Sequence, residues 1–600
     1  MRTDSDEIRN RIRMLRMDME RNGITVLLMK STDPHASEYI GEHDKVTEFF
    51  SGCTSDNVVL AVTADEARLW TDGRYFISAA RELSGTDIQL MKSGRAGVPK
   101  VTEYLKERLS QGDVLGFDGR CIDAASGLEY RRTAASAGAS VEGMYAPAEE
   151  IWVGRPQMSC SPVWFLPDGL SGRSFGEKLS DVREKMKASG ASYYMMSSLD
   201  DIMWLFNMRG SDVACCPVAY AYCLVGTGTC DLFIQDGAVT EELAAFARAN
   251  RVKVHSYGSL FAYLGSYHFE GNVLVNVRES SDALYSVLKS RAALTEAPGP
   301  AGLLKAVKNG TEIARLKECY LADSAAVCRF IFSMKNRIGR ETVTEYTAAE
   351  AMDAERRALP GFLDLSFPTI SAYNANAAMA HYAVNRETAE EVKPEGFLLV
   401  DSGGQYMGGT TDVTRTIAAG SLTEEMKRDF TLVACANLRL LDARFREGTT
   451  GSQLDMIPRE VLYRHGIDYD HGTGHGIGYI LNVHEGPQRI GRSTGSDPAM
   501  EAGMITSDEP GIYREGEYGI RTESIMLCVE DRETEFGRFL KFEPLTFVPI
   551  DLSAIDTKYM EAYDIRLLNE YHRQVREKIG PLLTGDARDW LLEAAGEVRA

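Results

Sequence analysis

Residues 468–478 read DYDHGTGHGIG and place His471 and His475 four positions apart in a run of glycines. On a helix such a pair shares one face and can share one metal ion. Gly472, Gly474, Gly476 and Gly478 stand against a helix, because each interior glycine costs about 1 kcal/mol relative to alanine. An extended segment spreads four residues over about 13 Å. Both rings can then lie on one face, yet they cannot hold the same ion. The stretch leaves open which of the two histidines, if either, binds a metal.

The histidines are concentrated. Five of the ten, His381, His465, His471, His475 and His484, fall between 381 and 484. Imidazole is the commonest metal ligand and the usual proton shuttle near neutral pH. Acids occur in the same region at strand positions. In GFLLVDSGGQYMGGTTDVTRTI, Asp401 closes an apolar strand and Asp412 sits in a second alternation. A hairpin centred near Tyr406–Met407 would set these two acids face to face, with room for a bulge. In MITSDEPGIYREGEYGIRTESIML, Glu509 and Glu523 are equidistant from Gly516, inside the turn-like REGEYG. Two hairpins therefore predict four acids brought together in pairs. Carboxylates buried as a cluster need a cation, since an unpaired buried charge is expensive. Oxygen-rich donors with one imidazole suit Mn²⁺ or Zn²⁺. Five donors exceed what one four-coordinate ion uses. They fit two ions about 3.5–4 Å apart, with a bridging water acidified to a hydroxide nucleophile.

A chain of 600 residues is too long for one core, and about three domains is the prior for that length. An αβ segment opens with a helix over 8–22 and the apolar strands ITVLLM and NVVLAVT. The proline-marked APAEEIWVGRPQMSCSPVWFLPDG reads as a linker. A second helix-then-strand segment from Phe175 is read as a related module. EAPGPAG marks another break, before a long helix with Ile313, Leu316, Tyr320, Val327, Phe330, Ile331 and Met334 on its core face. The rest, to about 550, is rich in glycine and strands, and a helical tail follows. The fold class is α/β (α+β), with boundaries at 1–155, 156–300, 301–552 and 553–600.

The formal net charge of −21 argues against a nucleic-acid partner. The charged N-terminus lacks a signal-type apolar core, and no run of 18 apolar residues suggests a membrane span, which favours the cytoplasm. The eleven cysteines include no C-x-x-C pair and read as buried thiols in a reducing compartment.

In order and spacing, the segments HYAVN, DSGGQYMGGTTDVTRT, HGTGHGIG, NVHEGP, DEPGIY and GIRTES resemble the pita-bread fold shared by aminopeptidase P, prolidase and methionine aminopeptidase. SEYI, WTDGRYFISAA and LDDIMWLFNMRGSDV resemble the two preceding domains of the long, three-domain aminopeptidase P. The resemblance covers nearly the whole chain. It implies two creatinase-like N-terminal αβ domains, a pita-bread catalytic domain and a C-terminal helical extension. It implies the metal ligands Asp401, Asp412, His475, Glu509 and Glu523, holding two divalent ions, Mn²⁺ first and Zn²⁺ second. His471 then faces the substrate pocket. His381 and His484 bind the scissile carbonyl or its oxyanion, and Glu509 doubles as proton shuttle. Tyr513 and Arg521 orient the ligand carboxylates. Thr522, where relatives often carry Ile, is a minor departure. The activity implied is removal of the N-terminal residue from peptides with proline second, the ring seated against His471, Tyr382 and His484. A homodimer is implied as well. The alternatives are a prolidase restricted to dipeptides and a metal-free scaffold of the same fold.

Overall fold

The computed structural model describes residues 4–599 apart from 168, 494 and 496. The chain divides into two compact units, one of Met1–Leu166 with Arg173–Gly302, the other of Pro167–Gly172 with Leu303–Ala600.

The first unit opens on the helix Ser5–Arg21, whose first turn is capped by the Asp4 side chain. Its apolar positions Ile8, Ile12, Leu15 and Met19 are buried, as their spacing predicts. Strands β1 (Val26–Lys30), β2 (Val59–Thr63), β3 (Ala67–Thr71), β4 (Ile88–Lys92), β5 (Val114–Gly116) and β6 (Ser140–Glu142) form a sheet ordered β4-β3-β2-β1-β5-β6. Only β2 runs against its neighbours. A second sheet of the same unit takes Tyr193–Met196, Ala221–Gly226, Cys230–Ile234, Lys253–Ser256, Val273–Val275 and Leu294–Glu296 into the same six places in turn. There too only the second strand, Ala221–Gly226, is antiparallel to its neighbours. Two segments without evident sequence identity thus share one topology.

The second unit is built on the helix Gly310–Arg337, which starts at an Asn309–Glu312 capping box. Leu316, Tyr320, Val327, Phe330, Ile331 and Met334 are buried along one side, with Ile313 half-buried. Asp323 on this helix accepts two bonds from Arg356 of the helix Glu345–Arg357, at 2.9 and 3.1 Å, and one from Tyr406 at 2.7 Å. Arg356 also donates to the Ser402 carbonyl at 3.0 Å, so a buried ion pair holds the end of the strand Phe397–Ser402. That strand lies between Ile370–Tyr373 and Val413–Ala418 in an antiparallel sheet. A larger sheet runs Arg444–Arg446, Gly537–Pro544, Ser524–Thr534, Ile505–Asp508, Gly474–Gly476, Glu485–Ile490.

The C-terminal helices Ala562–Ile579 and Gly585–Ala594 send Leu567, Leu568, Val575, Ile579 and Leu591 into the core that also holds Phe397 and Val400. Among the described residues no helix is long and apolar enough to cross a membrane.

Candidate metal centre

Two hairpins bring up the acids and the strand Gly474–Gly476 brings up His475. The strands Gly511–Arg514 and Tyr518–Arg521 pair Gly511 with Arg521 and Tyr513 with Gly519. The turn is therefore centred on Gly516, as expected, where φ is +79°. Glu509 and Glu523 flank this ribbon symmetrically. The first pair departs from expectation. Asp401 lies opposite Thr414, and Ser402 opposite Val413, so Asp401 and Asp412 are diagonal rather than directly opposed. The tip accounts for the offset: Gln405 pairs with Thr410 and Tyr406 with Gly409, which moves the reversal to Met407–Gly408. The slip displaces the partner by two residues. An even slip keeps the face, because side chains alternate with period two. Asp401 and Asp412 still point the same way.

The glycines around His475 serve close packing. A Cβ on Gly474 would stand 1.9 Å from the Ser507 carbonyl oxygen, and one on Gly476 would stand 2.3 Å from that of Glu485. Only glycine lets Gly474–Gly476 press between its neighbouring strands Ile505–Asp508 and Glu485–Ile490, and His475 is held between them. Its Nδ1 lies 2.9 Å from the Gly476 carbonyl, to which it donates. The proton is thus fixed on Nδ1 and the Nε2 lone pair is left facing the acids. Nε2 is 3.5 Å from Glu509 Oε1 and 3.6 Å from Asp412 Oδ2.

His471 makes the same Nδ1 bond to the next carbonyl and differs at Nε2. Its Nδ1 donates to the Gly472 carbonyl at 2.7 Å, and its Nε2 accepts from the Tyr513 hydroxyl at 2.9 Å. Burial pushes the Tyr513 phenol up to about 12, so it keeps its proton. With both ring nitrogens engaged, His471 has no lone pair to offer a metal. The second histidine faces the cluster and the first does not.

Side-chain donor atoms of Asp401, Asp412 and Glu523 lie within 4.8 Å of one another, as do those of His475, Glu509 and Glu523. His484 joins a third such group with Asp412 and His475, its ring centroid 4.3 Å from that of His475. The centre is short of positive charge. Burial, and then the charges of Glu523, Asp401 and Glu509, push the Asp412 carboxyl far above the usual range. Burial and the charges of Asp401 and Glu509 do the same to Glu523. Asp401 Oδ1 is buried without a hydrogen bond. Such a donor set is what a pair of divalent cations would relieve.

Arg521 supplies one guanidinium. It donates to Asp401 Oδ2 at 2.5 Å, to the Tyr513 hydroxyl at 2.8 Å and to Thr414 Oγ1 at 3.1 Å. Thr414 in turn donates to Glu523 Oε2 at 2.9 Å. One side chain thus orients acids from both hairpins.

The remaining residues divide. His381 is half-buried in the irregular chain after the turn Asn374–Ala378 and belongs to none of the metal-ligand groups among the described residues. His465 is exposed beyond the helix Met456–Tyr463. The Tyr382 hydroxyl donates to Glu345 at 2.9 Å, so it is committed inside the protein and leaves only the ring for a substrate.

Three participants escaped sequence reasoning. Asp508, next to Glu509, is fully buried with neither carboxyl oxygen hydrogen-bonded, and burial pushes it strongly upward. Glu485, next to His484, is buried against Lys308, with Lys305 at 3.9 Å. Thr414 bridges Arg521 and Glu523. All three stand inside the segments DEPGIY, NVHEGP and DSGGQYMGGTTDVTRT. Nothing in sequence linked Lys308 to a residue 177 positions away.

Fold and centre together define a hydrolase of the dinuclear metallopeptidase class. The profile of metallopeptidase family M24 matches residues 314–530, and that of the family's C-terminal region matches 538–598. Two profiles of the creatinase/prolidase N-terminal domain match 11–144 and 154–312. Aminopeptidase P1 of Arabidopsis thaliana is 32% identical over 96% of this chain and 97% of its own. Xaa-Pro aminopeptidase 1 of Dictyostelium discoideum is 33% identical over 96% and 94%. The crystal structure of an X-prolyl aminopeptidase from Caenorhabditis elegans, described as a cytosolic enzyme with a di-nuclear active site, superposes with a TM-score of 0.94 at 31% identity, covering 99% of this chain and all of that one. The chain belongs to the aminopeptidase P family of M24 metallopeptidases.

Proposed function

We propose that this protein is a Xaa-Pro aminopeptidase in which Asp401, Asp412, His475, Glu509 and Glu523 hold two divalent ions, Mn²⁺ in the cell. The observation that carries the reading is the buried convergence of four carboxylates with one imidazole whose Nδ1 is already committed to a carbonyl. When bound, the ion pair supplies an acidified water and a Lewis acid for the scissile carbonyl.

The side chains do the rest. Glu509 is the most solvent-accessible of the four acids, with 19% of its side chain exposed against 11% or less for the others. It takes the proton of the attacking water and passes it to the proline nitrogen as that bond breaks. His381 and His484 donate to the carbonyl oxygen as negative charge grows on it, where oriented donors act most strongly. The wall for the proline ring is His471, held by Tyr513, with His484 and the ring of Tyr382. A bond to proline has no N–H. Peptidases that grip that N–H lose their handle, whereas a centre acting on the carbonyl does not need it.

Similarity over the full length to long aminopeptidases favours this reading over a prolidase. A Bacillus anthracis Xaa-Pro dipeptidase, 24% identical, shares the fold over only 63% of this chain. The intact donor set disfavours a metal-free scaffold. Domains at 1–155, 156–300 and 301–552 with a 553–600 extension, a homodimer and a cytoplasmic site complete the proposal. The test is hydrolysis of Arg-Pro-Pro with and without Mn²⁺, read by mass spectrometry, beside a Xaa-Pro dipeptide. Release of free Arg that depends on metal is expected. Strong preference for the dipeptide would make the protein a prolidase, and protein that binds no ion after Mn²⁺ addition would make it a scaffold.

A further inference from the structure

Glu345 opens the helix Glu345–Arg357, outside every motif quoted above, and is completely buried. Both of its oxygens are in use. Oε1 accepts from the Tyr373 N–H at 2.7 Å and from Asn376 Nδ2 at 3.1 Å. Oε2 accepts from the Tyr382 hydroxyl and from the Glu390 N–H, each at 2.9 Å. A carboxylate is an acceptor with two oxygens and about four lone-pair sites, so four donors match its capacity.

All four donors belong to one stretch, 373–390, and His381 lies within it beside Tyr382. The stretch has little structure of its own. After the turn Asn374–Ala378 it contains no helix or strand as far as Glu390. Backbone bonds fasten its far end to the same helix start: Glu345 N to Glu390 O at 3.0 Å, and Val392 N to Val343 O at 2.8 Å. The Arg386 guanidinium sits 5.9 Å over the ring of Tyr346, the next residue of the helix. One carboxylate thus grips the loop before, beside and after His381.

We propose that Glu345 is a positioning residue of the substrate side: it clamps the loop 373–390, and through Tyr382 it presents the His381 imidazole in one orientation. The inference rests on the reading of His381 as a substrate-binding histidine. Glu345→Gln puts an NH₂ where two donors already point, whichever way the amide is turned. Tyr382→Phe removes the bond to Glu345 Oε2, with the longer 3.4 Å one from Asn376, and leaves the carboxylate in place.

The experiment measures kcat, KM and bound metal for Glu345→Gln, Tyr382→Phe, His381→Ala and the two double variants with His381→Ala, on a Xaa-Pro-Xaa tripeptide. Each hydrogen bond lost at a buried site is worth about threefold to tenfold, so kcat falls about tenfold in Glu345→Gln and about threefold in Tyr382→Phe, with bound metal unchanged. In the His381→Ala background neither substitution lowers kcat further, because a residue acting through another is silent once that other is gone. Losses that multiply in the double variants would overturn the proposal by showing general destabilisation, as would single variants with wild-type kcat beside an impaired His381→Ala. Full activity in His381→Ala itself would instead sink the reading of His381, and the clamp with it.

Discussion

Replacing Arg521 by Lys keeps a positive charge at the centre and removes the fork that distributes it. Arg521 reaches Asp401, Tyr513 and Thr414 with three different nitrogens. A lysine ammonium is a compact point charge that can keep the strongest of these, the bond to Asp401, and not the other two. Both lost bonds have a charged donor, for which a hydrogen bond is worth about 1.5–3 kcal/mol, so each costs a factor of about 10 to 150. That cost falls on the oriented state of the ligands. Without Arg521, Thr414 is free to rotate away from Glu523, and Tyr513 from His471. Partners that orient ligating groups typically carry about 10–100-fold of metal affinity, which is the worth of one such bond, so a loss of at least about tenfold is expected. The assay is a Mn²⁺ titration of the metal-stripped enzyme, followed both by equilibrium dialysis and by peptide hydrolysis. Mn²⁺ affinity and turnover equal to wild type in Arg521→Lys would refute the argument that the fork, rather than the charge, sets the geometry of both hairpins.

Asp412→Asn abolishes turnover and metal binding yet makes the metal-free protein more stable, because it removes one of several mutually repelling buried acids; a lower melting temperature of the stripped variant would contradict this. His484→Ala lowers kcat more than it weakens Mn²⁺ binding, as parallel kinetics and dialysis check. Lys308→Met removes the nearer cation from buried Glu485, with Lys305 at 3.9 Å, and lowers unfolding stability in urea by about 3–5 kcal/mol. His572 is buried, with Nε2 accepting from the Ile550 N–H at 3.1 Å, and burial lowers its pKa from 6.5 to about 4. The unfolded chain binds the proton first, so stability present above pH 6.5 is lost as pH falls toward 4, by about 3 kcal/mol in total. His572→Gln flattens that part of the urea-stability profile; an unchanged slope would refute it.

Much of the catalytic unit was legible because its chemistry is carried by strand ends and turns. Glu509 and Glu523 were found by counting from Gly516, and the ribbon Gly511–Arg514 with Tyr518–Arg521 has that register. The same counting missed the other hairpin by two residues, because Gln405–Thr410 builds its own small ladder at the tip. The error was harmless since it was even. The matching topology of the two N-terminal sheets was visible only as a resemblance in the order of helix and strand. Residues that work through distant partners gave no signal. Glu345 shows no pattern around it, and neither does Lys308, whose partner Glu485 is brought up by the fold.

The sequence by itself determined which donors exist and on which face of each strand they stand, since alternation and turn position are local properties of the chain. It also determined that the backbone around His475 must be bare, because glycine was spelled out at Gly474 and Gly476. Only the tertiary structure decided which histidine keeps a lone pair for a metal. That choice turns on the second ring nitrogen. At His471 a tyrosine hydroxyl from another hairpin occupies Nε2, and at His475 the same atom faces two carboxylates. No local rule sets such a difference, because the deciding atoms lie far apart along the chain and meet only after the sheets have packed.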